Sequence, residues 1–345
     1  MKQVREGWGR CLLLFQIILH LFCSYSFAGS LELQERMQQE LDLPGKGFDD
    51  KRLVELRRFH FVFVDGFVNE LAGIFPAIFS LGNYFSDNIQ ELSDFGITSD
   101  HLGHSTWKPF LVNADELFIK LKNIYLLRQK RIILVGHSKG GNEVIAAILK
   151  HPGLLDSHIV EQVVAIQAPL QGSPLTENLA DHSLARVVTY AMGNGLGSMR
   201  PSIAQELFHN LFEQFLEKLG YRQGEEADNL QWAEFKARYD EISDRVFFVT
   251  SSHPPTETLS WGIRSVLFFC KNGLEPTLPN DGLVSQQDQV LRTKIPFGHE
   301  FEMIADHIEL VVSGTVSRAH PKKRRAFTRA LTQLLYEYRN TNIRH

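Results

Sequence analysis

The stretch Arg131–Ile148 reads R-I-I-L-V-G-H-S-K-G-G-N-E-V-I-A-A-I, and its two halves carry different periodicities. Ile132 to Val135 is a short apolar, mostly β-branched run of the kind that forms a buried strand, whereas Val144, Ile145 and Ile148 recur at helical spacing. Gly136-His137-Ser138-Lys139-Gly140 lies between them. A strand that enters a helix through G-x-S-x-G turns so tightly that the serine takes a strained conformation and exposes its hydroxyl. The flanking glycines are then steric requirements, and Ser138 is the candidate nucleophile.

Working outward, Phe59 to Val64 (F-H-F-V-F-V) predicts a strand running into Asp65-Gly66-Phe67, Glu70 to Leu81 a helical stretch, and Glu91 to Ile97 a further short strand. Leu117, Phe118, Leu121, Ile124 and Leu127 share one helical face, so Asp115 to Leu127 reads as the crossover helix before the central strand. Val160 to Gln167 is the next strand. Two β-α-β units in succession predict an α/β fold with a largely parallel sheet flanked by helices.

The alternation stops at residue 171. Between there and residue 244 a glycine-rich portion, Met192 to Gly197, precedes Ile203, Leu207, Phe208, Leu211, Phe212, Phe215, Leu216 and Leu219 at helical spacing. We expect a helical insertion, either a fixed cap packed on the sheet domain or a lid whose apolar face opens onto lipid. The α/β core would then comprise residues 58–170 and 245–345. Val246 to Thr250 and Val266 to Cys270 are its next strands, and Pro279, Asn280 and Gly282 impose a turn that holds Asp281 at a loop tip. A terminal helix carries Phe327, Leu331, Leu334 and Leu335; Lys322-Lys323-Arg324-Arg325 at its start either belongs to that packed helix or forms a patch for anionic lipid.

With 345 residues, 43% hydrophobic, 22% charged and a formal net charge of −4, the chain has the composition of a globular protein, and nothing in it suggests nucleic acid as a partner. Lys2, Arg5 and Arg10 precede an apolar run from Cys11 to Phe22, followed by the small residues of Ser26-Phe27-Ala28. That pattern predicts residues 1–28 to be a signal peptide for export, the alternative being an uncleaved membrane anchor. Cleavage would leave Cys270 as the one cysteine, so export brings no intramolecular disulfide. Residues 29–57 show a weak helical rhythm broken at Pro44-Gly45-Lys46-Gly47 and read as a mobile lead-in.

A serine hydroxyl becomes a useful nucleophile when a base takes its proton and an acid partner fixes the base's tautomer. On this type of fold the chain order is Ser, Asp or Glu, then His. Asp281 is favoured over Asp240, Asp244 and Asp288 by its turn, and four histidines follow it: His299, His307, His320 and His345. His320 adjoins Pro321 and His345 is terminal; His307 is the candidate base and His299 the fallback. The oxyanion would be bound by the backbone N–H groups of Lys139, next after the nucleophile, and Phe67, in the loop after the first core strand. His137 should point away from so sharp a turn and serve in packing or hydrogen bonding.

V-G-H-S-K-G-G at Val135 to Gly141, V-V-A-I-Q-A-P-L-Q-G-S at Val163 to Ser173, P-N-D-G-L-V-S at Pro279 to Ser285 and D-H-I-E at Asp306 to Glu309 together resemble the α/β-hydrolase lipases of bacteria. The resemblance, which runs from about Phe59 to Val312, implies the α/β-hydrolase fold and hydrolysis of lipid or other acyl esters through an acyl-enzyme. It implies no organic cofactor. By the same likeness Ser138, Asp281 and His307 correspond to the catalytic triad and Phe67 with Lys139 to the oxyanion donors. A phospholipase, thioesterase or lipid amidase would use the same triad, and a non-catalytic lipid-binding protein could keep the fold. This chain has Asp65-Gly66 where those lipases have His-Gly, lacks their cysteine pair, and carries Glu309 where many of them have a calcium-binding Asp; no metal is predicted.

Overall fold

In the computed structural model, the residues described are 32–45, 48–66, 83–104, 108, 110–170, 245–254, 257–260, 263–264, 279–290 and 299–342. The expected signal peptide, the helical stretch from Glu70 to Leu81, the cap at 171–244, Phe67, and the strand at Val266 to Cys270 lie outside them. The described elements are, in order, α1 (Glu32–Asp42), α2 (Asp50–Leu56), β1 (Phe59–Val64), α3 (Ser86–Asp94), β2 (Thr98–Leu102), α4 (Phe110–Arg128), β3 (Arg131–His137), α5 (Lys139–Lys150), α6 (Gly153–Asp156), β4 (Val160–Ile166), β5 (Val246–Ser252), a 3-10 turn at Gln286–Gln289, β6 (Glu300–Ile304) and α7 (Pro321–Asn342).

The six strands among the described residues are all parallel, in the order β2-β1-β3-β4-β5-β6. Such a sheet is covered on both faces, so its inner strands are largely apolar along their length instead of alternating strictly with polar residues. On β1, Phe61 and Phe63 join one core with Ile133, Val135, Phe247, Val249 and α7's Leu334, while Val62 and Val64 join the other with Leu134, Phe248, α4's Leu121 and α5's Val144. The chain leaves β1 in one direction to reach β2 and thereafter builds the sheet in the other. The crevice at that reversal, between the carboxyl ends of β1 and β3, is where ligands bind in open α/β sheets. Asp65-Gly66 and Ser138 stand on its two sides.

Two expectations are corrected. The lead-in is folded: Leu33 and Met37 of α1 are buried in the core, and α1 is tied to α7 by Arg36 Nη2 to Glu337 Oε2 at 2.7 Å and by Arg329 Nε to Glu40 Oε2 at 2.7 Å. Residues 91–97 are not a strand. Asn88, Glu91 and Leu92 are buried at helical spacing on α3, and the strand begins only at Thr98. As an edge strand β2 is partly exposed, so T-S-D-H-L carries little apolar signal. The basic cluster belongs to the packed terminal helix, as one of the two expectations had it: Arg324 is buried against Asp87 at 2.6 Å, Arg325 contacts Asp94 at 2.8 Å, and Lys323 contacts Glu309 at 3.0 Å.

Candidate active site

The turn from β3 into α5 is set by close backbone packing. A methyl group on Gly140 would lie 2.2 Å from the carbonyl oxygen of Asp65, and one on Gly136 would lie 2.3 Å from the carbonyl oxygen of Gly140. Ser138 takes up the strain between them, with φ 54° and ψ −126°. Its N–H donates to the Ile166 carbonyl at 2.9 Å, pinning the elbow to the end of β4. A non-glycine residue in that region costs on the order of 1–3 kcal/mol, and such strain persists where the surroundings over-determine it.

The side chain of Ser138 is half-buried, and its Oγ–H donates to His307 Nε2 at 3.0 Å. His307 Nδ1–H donates to Asp281 Oδ2 at 2.8 Å. Asp281 is fully buried, and its other oxygen accepts the N–H groups of Leu283 at 2.9 Å and Val284 at 2.8 Å. The structure thus brings the three residues expected from the sequence into one hydrogen-bonded row. His299 is placed elsewhere: it precedes β6 at the opposite end of the sheet, stacked on Phe247 with ring centroids 4.8 Å apart. Lys139 is the first residue of α5, so its N–H points out of the helix start, where the backbone carries partial positive charge.

Two supporting residues stand out. His137, buried beneath the row, donates from Nε2 to the backbone carbonyl of His307 at 2.7 Å, with the two rings 4.9 Å apart. Burial first, and then the neighbouring His307, hold its pKa well below the usual histidine range, so it stays neutral and adds no positive charge beside the base. Gln289, fully buried, donates from Nε2 to Asp281 Oδ2 at 3.1 Å and to the Ser251 carbonyl at 3.1 Å, while its Oε1 accepts the Ser251 N–H at 2.7 Å. It joins the acid loop to the end of β5. A glutamine in Ser285-Gln286-Gln287-Asp288-Gln289 carries no sequence signal that singles it out.

The loop bearing His307 has its own frame. Asp306 Oδ2 accepts the Ser260 N–H at 2.6 Å and Oδ1 accepts the N–H groups of Ile308 and Glu309, both at 3.1 Å; burial, and then Glu309, raise its pKa. The Glu309 carboxylate is paired with Arg318 and, at 3.0 Å, with Lys323. Burial works to raise the pKa of Glu309, but Lys323 and Arg318 prevail and hold it below the usual range. Among the described residues, no group of three or more His, Cys, Asp or Glu side chains is arranged to hold a metal ion. On the other side of the crevice, buried Asp65 directs its Oδ1 to His101 Nε2 on β2.

Residues 66–180 match the lecithin:cholesterol acyltransferase family model. No curated protein matches the chain in sequence. Among solved structures, a metagenomic carboxyl esterase superposes with a TM-score of 0.51 at 19% identity, covering 81% of this chain and 76% of that one. The lipase of Staphylococcus hyicus is also similar, with a TM-score of 0.47 at 15% identity over 82% of this chain and 97% of that one. The fold is that of the α/β-hydrolases, and the resemblance to lipases and esterases holds at that level.

Proposed function

We propose that this α/β-hydrolase is a serine hydrolase that cleaves carboxylic esters of lipids or related acyl compounds through an acyl-enzyme. The observation that carries the reading is the row Ser138, His307, Asp281, with Oγ to Nε2 at 3.0 Å and Nδ1 to Oδ2 at 2.8 Å, at the mouth of the switch-point crevice on a strained elbow. His307 takes the Ser138 proton as Oγ bonds to the ester carbon, and the carbonyl π electrons move to oxygen. The tetrahedral intermediate collapses by breaking the ester C–O bond, and His307 returns the proton to the leaving alcohol. Water, deprotonated by His307, then releases the acid and restores Ser138. Asp281 keeps the Nδ1–H tautomer and stabilises the imidazolium between these steps. The backbone N–H of Lys139 is an oxyanion donor, and Phe67 is the second by its position after Gly66.

A free carboxylate on Asp65 beside a developing oxyanion would oppose it and favour a non-catalytic protein. Its pairing with His101 directs that charge toward β2 and supports the enzymatic reading. We assign acyl-length and head-group preference to residues 171–244, and export to the N-terminal segment with its Lys2, Arg5 and Arg10. The test is hydrolysis of a graded series of acyl esters by wild type and Ser138→Ala. Wild type should turn the esters over and the variant should not; undiminished turnover in Ser138→Ala would remove the assigned nucleophile.

A further inference from the structure

A methyl group placed on Gly66 would lie 2.8 Å from Oη of Tyr84, 2.9 Å from Cβ of Ser138 and 3.1 Å from Nδ1 of His137. Three side chains, two from the elbow and one from the segment before α3, therefore meet around one methyl-sized spot at the carboxyl end of β1. Ser138 and His137 are already placed in the chemistry and its support, and Tyr84 is the third.

Its ring is buried and lies 5.6 Å from the ring of His137. Its backbone is laced to the loop that carries the base: Tyr84 bridges Val312, the Asn83 N–H donates to Ser313 at 3.3 Å, and the Phe85 N–H donates to Val311 at 2.7 Å. Tyr84 is thus anchored through its backbone to the base loop, with its phenol beside Gly66 and the elbow. A donor fixed in this way needs little reorganisation when charge develops, and this is the condition under which electrostatic stabilisation is strongest.

We propose that Tyr84 is a further catalytic residue, whose Oη–H donates a hydrogen bond to the oxyanion formed as Ser138 attacks the ester carbonyl, beside the backbone N–H of Lys139. The inference rests on the serine-hydrolase reading above. Oη of Tyr84 and Cβ of Ser138 both lie within 2.9 Å of the same spot on Gly66, and the nucleophilic Oγ is one bond from that Cβ, so the negative oxygen develops in the neighbourhood of the phenol. The phenol keeps its proton throughout: electrons move from the carbonyl π bond to oxygen, and Oη–H only shares its hydrogen. Asp65, next to Gly66, points its carboxylate at His101, so the Ser138 side of this loop is served by a neutral donor.

Tyr84→Phe removes one oxygen and keeps the ring. Its kcat on p-nitrophenyl butyrate should fall by about 10²-fold with KM changed less than about twofold, the pattern of a lost oxyanion donor. Affinity for an aryl trifluoromethyl ketone, which adds to Ser138 as a hemiketal oxyanion, should fall by a similar factor. A wild-type kcat in Tyr84→Phe, or a lower kcat with unchanged ketone affinity, overturns the proposal. Should the variant fold poorly, 3,5-difluorotyrosine at position 84 keeps the hydroxyl and acidifies it. The alkaline limb of kcat should then move to lower pH, and an unmoved limb overturns the proposal. Wild type and Ser138→Ala run alongside: no Ser138-dependent turnover in wild type sinks both readings, whereas such turnover with an unaffected Tyr84→Phe sinks this one alone.

Discussion

Asp281→Asn probes the acid position with a single-atom change. A carboxylate offers about four lone-pair sites, and four donors converge on Asp281: the N–H groups of Leu283 and Val284 on Oδ1, and His307 Nδ1–H and Gln289 Nε2–H on Oδ2. An asparagine that keeps its oxygen on the two backbone donors must turn its NH₂ toward the other two. There it meets the Gln289 amide donor to donor, and it can donate to His307 Nδ1 only if that nitrogen gives up its hydrogen. The imidazole is then held with its hydrogen on Nε2, facing Ser138, and cannot accept the serine proton. The same inversion in a Ser-His-Asp protease lowers kcat about 10⁴-fold, or about 5 kcal/mol of transition-state stabilisation. The buried donor clash adds a stability loss of about 1–3 kcal/mol. Initial rates on p-nitrophenyl butyrate should therefore fall by at least about 10³-fold while the protein still melts cooperatively. A folded Asp281→Asn retaining a tenth or more of wild-type kcat/KM would refute the assignment of Asp281.

His137→Leu deletes the donor to the His307 carbonyl and should lower kcat by about tenfold, whereas His137→Gln, which can still donate, should recover part of it; equal activities in circular-dichroism-matched samples would contradict the role. Lys323→Met weakens the charge compensation of Glu309. Because the folded Glu309 pKa is depressed, its contribution to stability is present above the unfolded value of about 4.3 and is lost as pH falls through the folded value. Raising the folded pKa narrows that window, so acid unfolding followed by circular dichroism should begin at higher pH in Lys323→Met, and an unmoved midpoint would count against the pair. Arg329→Met leaves the buried carboxylates Glu40 and Glu91 without their shared partner at a cost of about 3–5 kcal/mol, and limited proteolysis should then cut before residue 58; a wild-type digestion pattern would argue against α1 docking on α7.

The residues of the central sheet are legible because both faces are covered, which makes β1, β3, β4 and β5 predominantly apolar and β-branched or aromatic. The edge strand β2 is not, since T-S-D-H-L shows neither alternation nor apolar continuity, and the residues ahead of it that read as a strand belong to the end of α3 and the turn that follows it. The lead-in's packing is illegible for a related reason. α1 buries only a narrow stripe, Leu33 and Met37, and its attachment runs through Arg36, Glu40 and Arg329, whose partners are about 290 or more residues away in the chain, as in the pair Arg329–Glu40. Charge pairs at such separation leave no local pattern. For the candidate site, Ser138 follows from its own turn, and Asp281 and His307 follow from turn chemistry and chain order. Gln289 and Tyr84 contribute through tertiary proximity alone, and no spacing rule points to either.

The most direct measurement is reaction of the folded protein with an active-site fluorophosphonate, followed by peptide mapping of the modified residue. A hydroxyl activated by His307 should be phosphonylated stoichiometrically at Ser138, and His307→Ala should suppress the modification. Absence of labelling in native protein, or a label on any other residue, would contradict the assignment of Ser138 as the nucleophile.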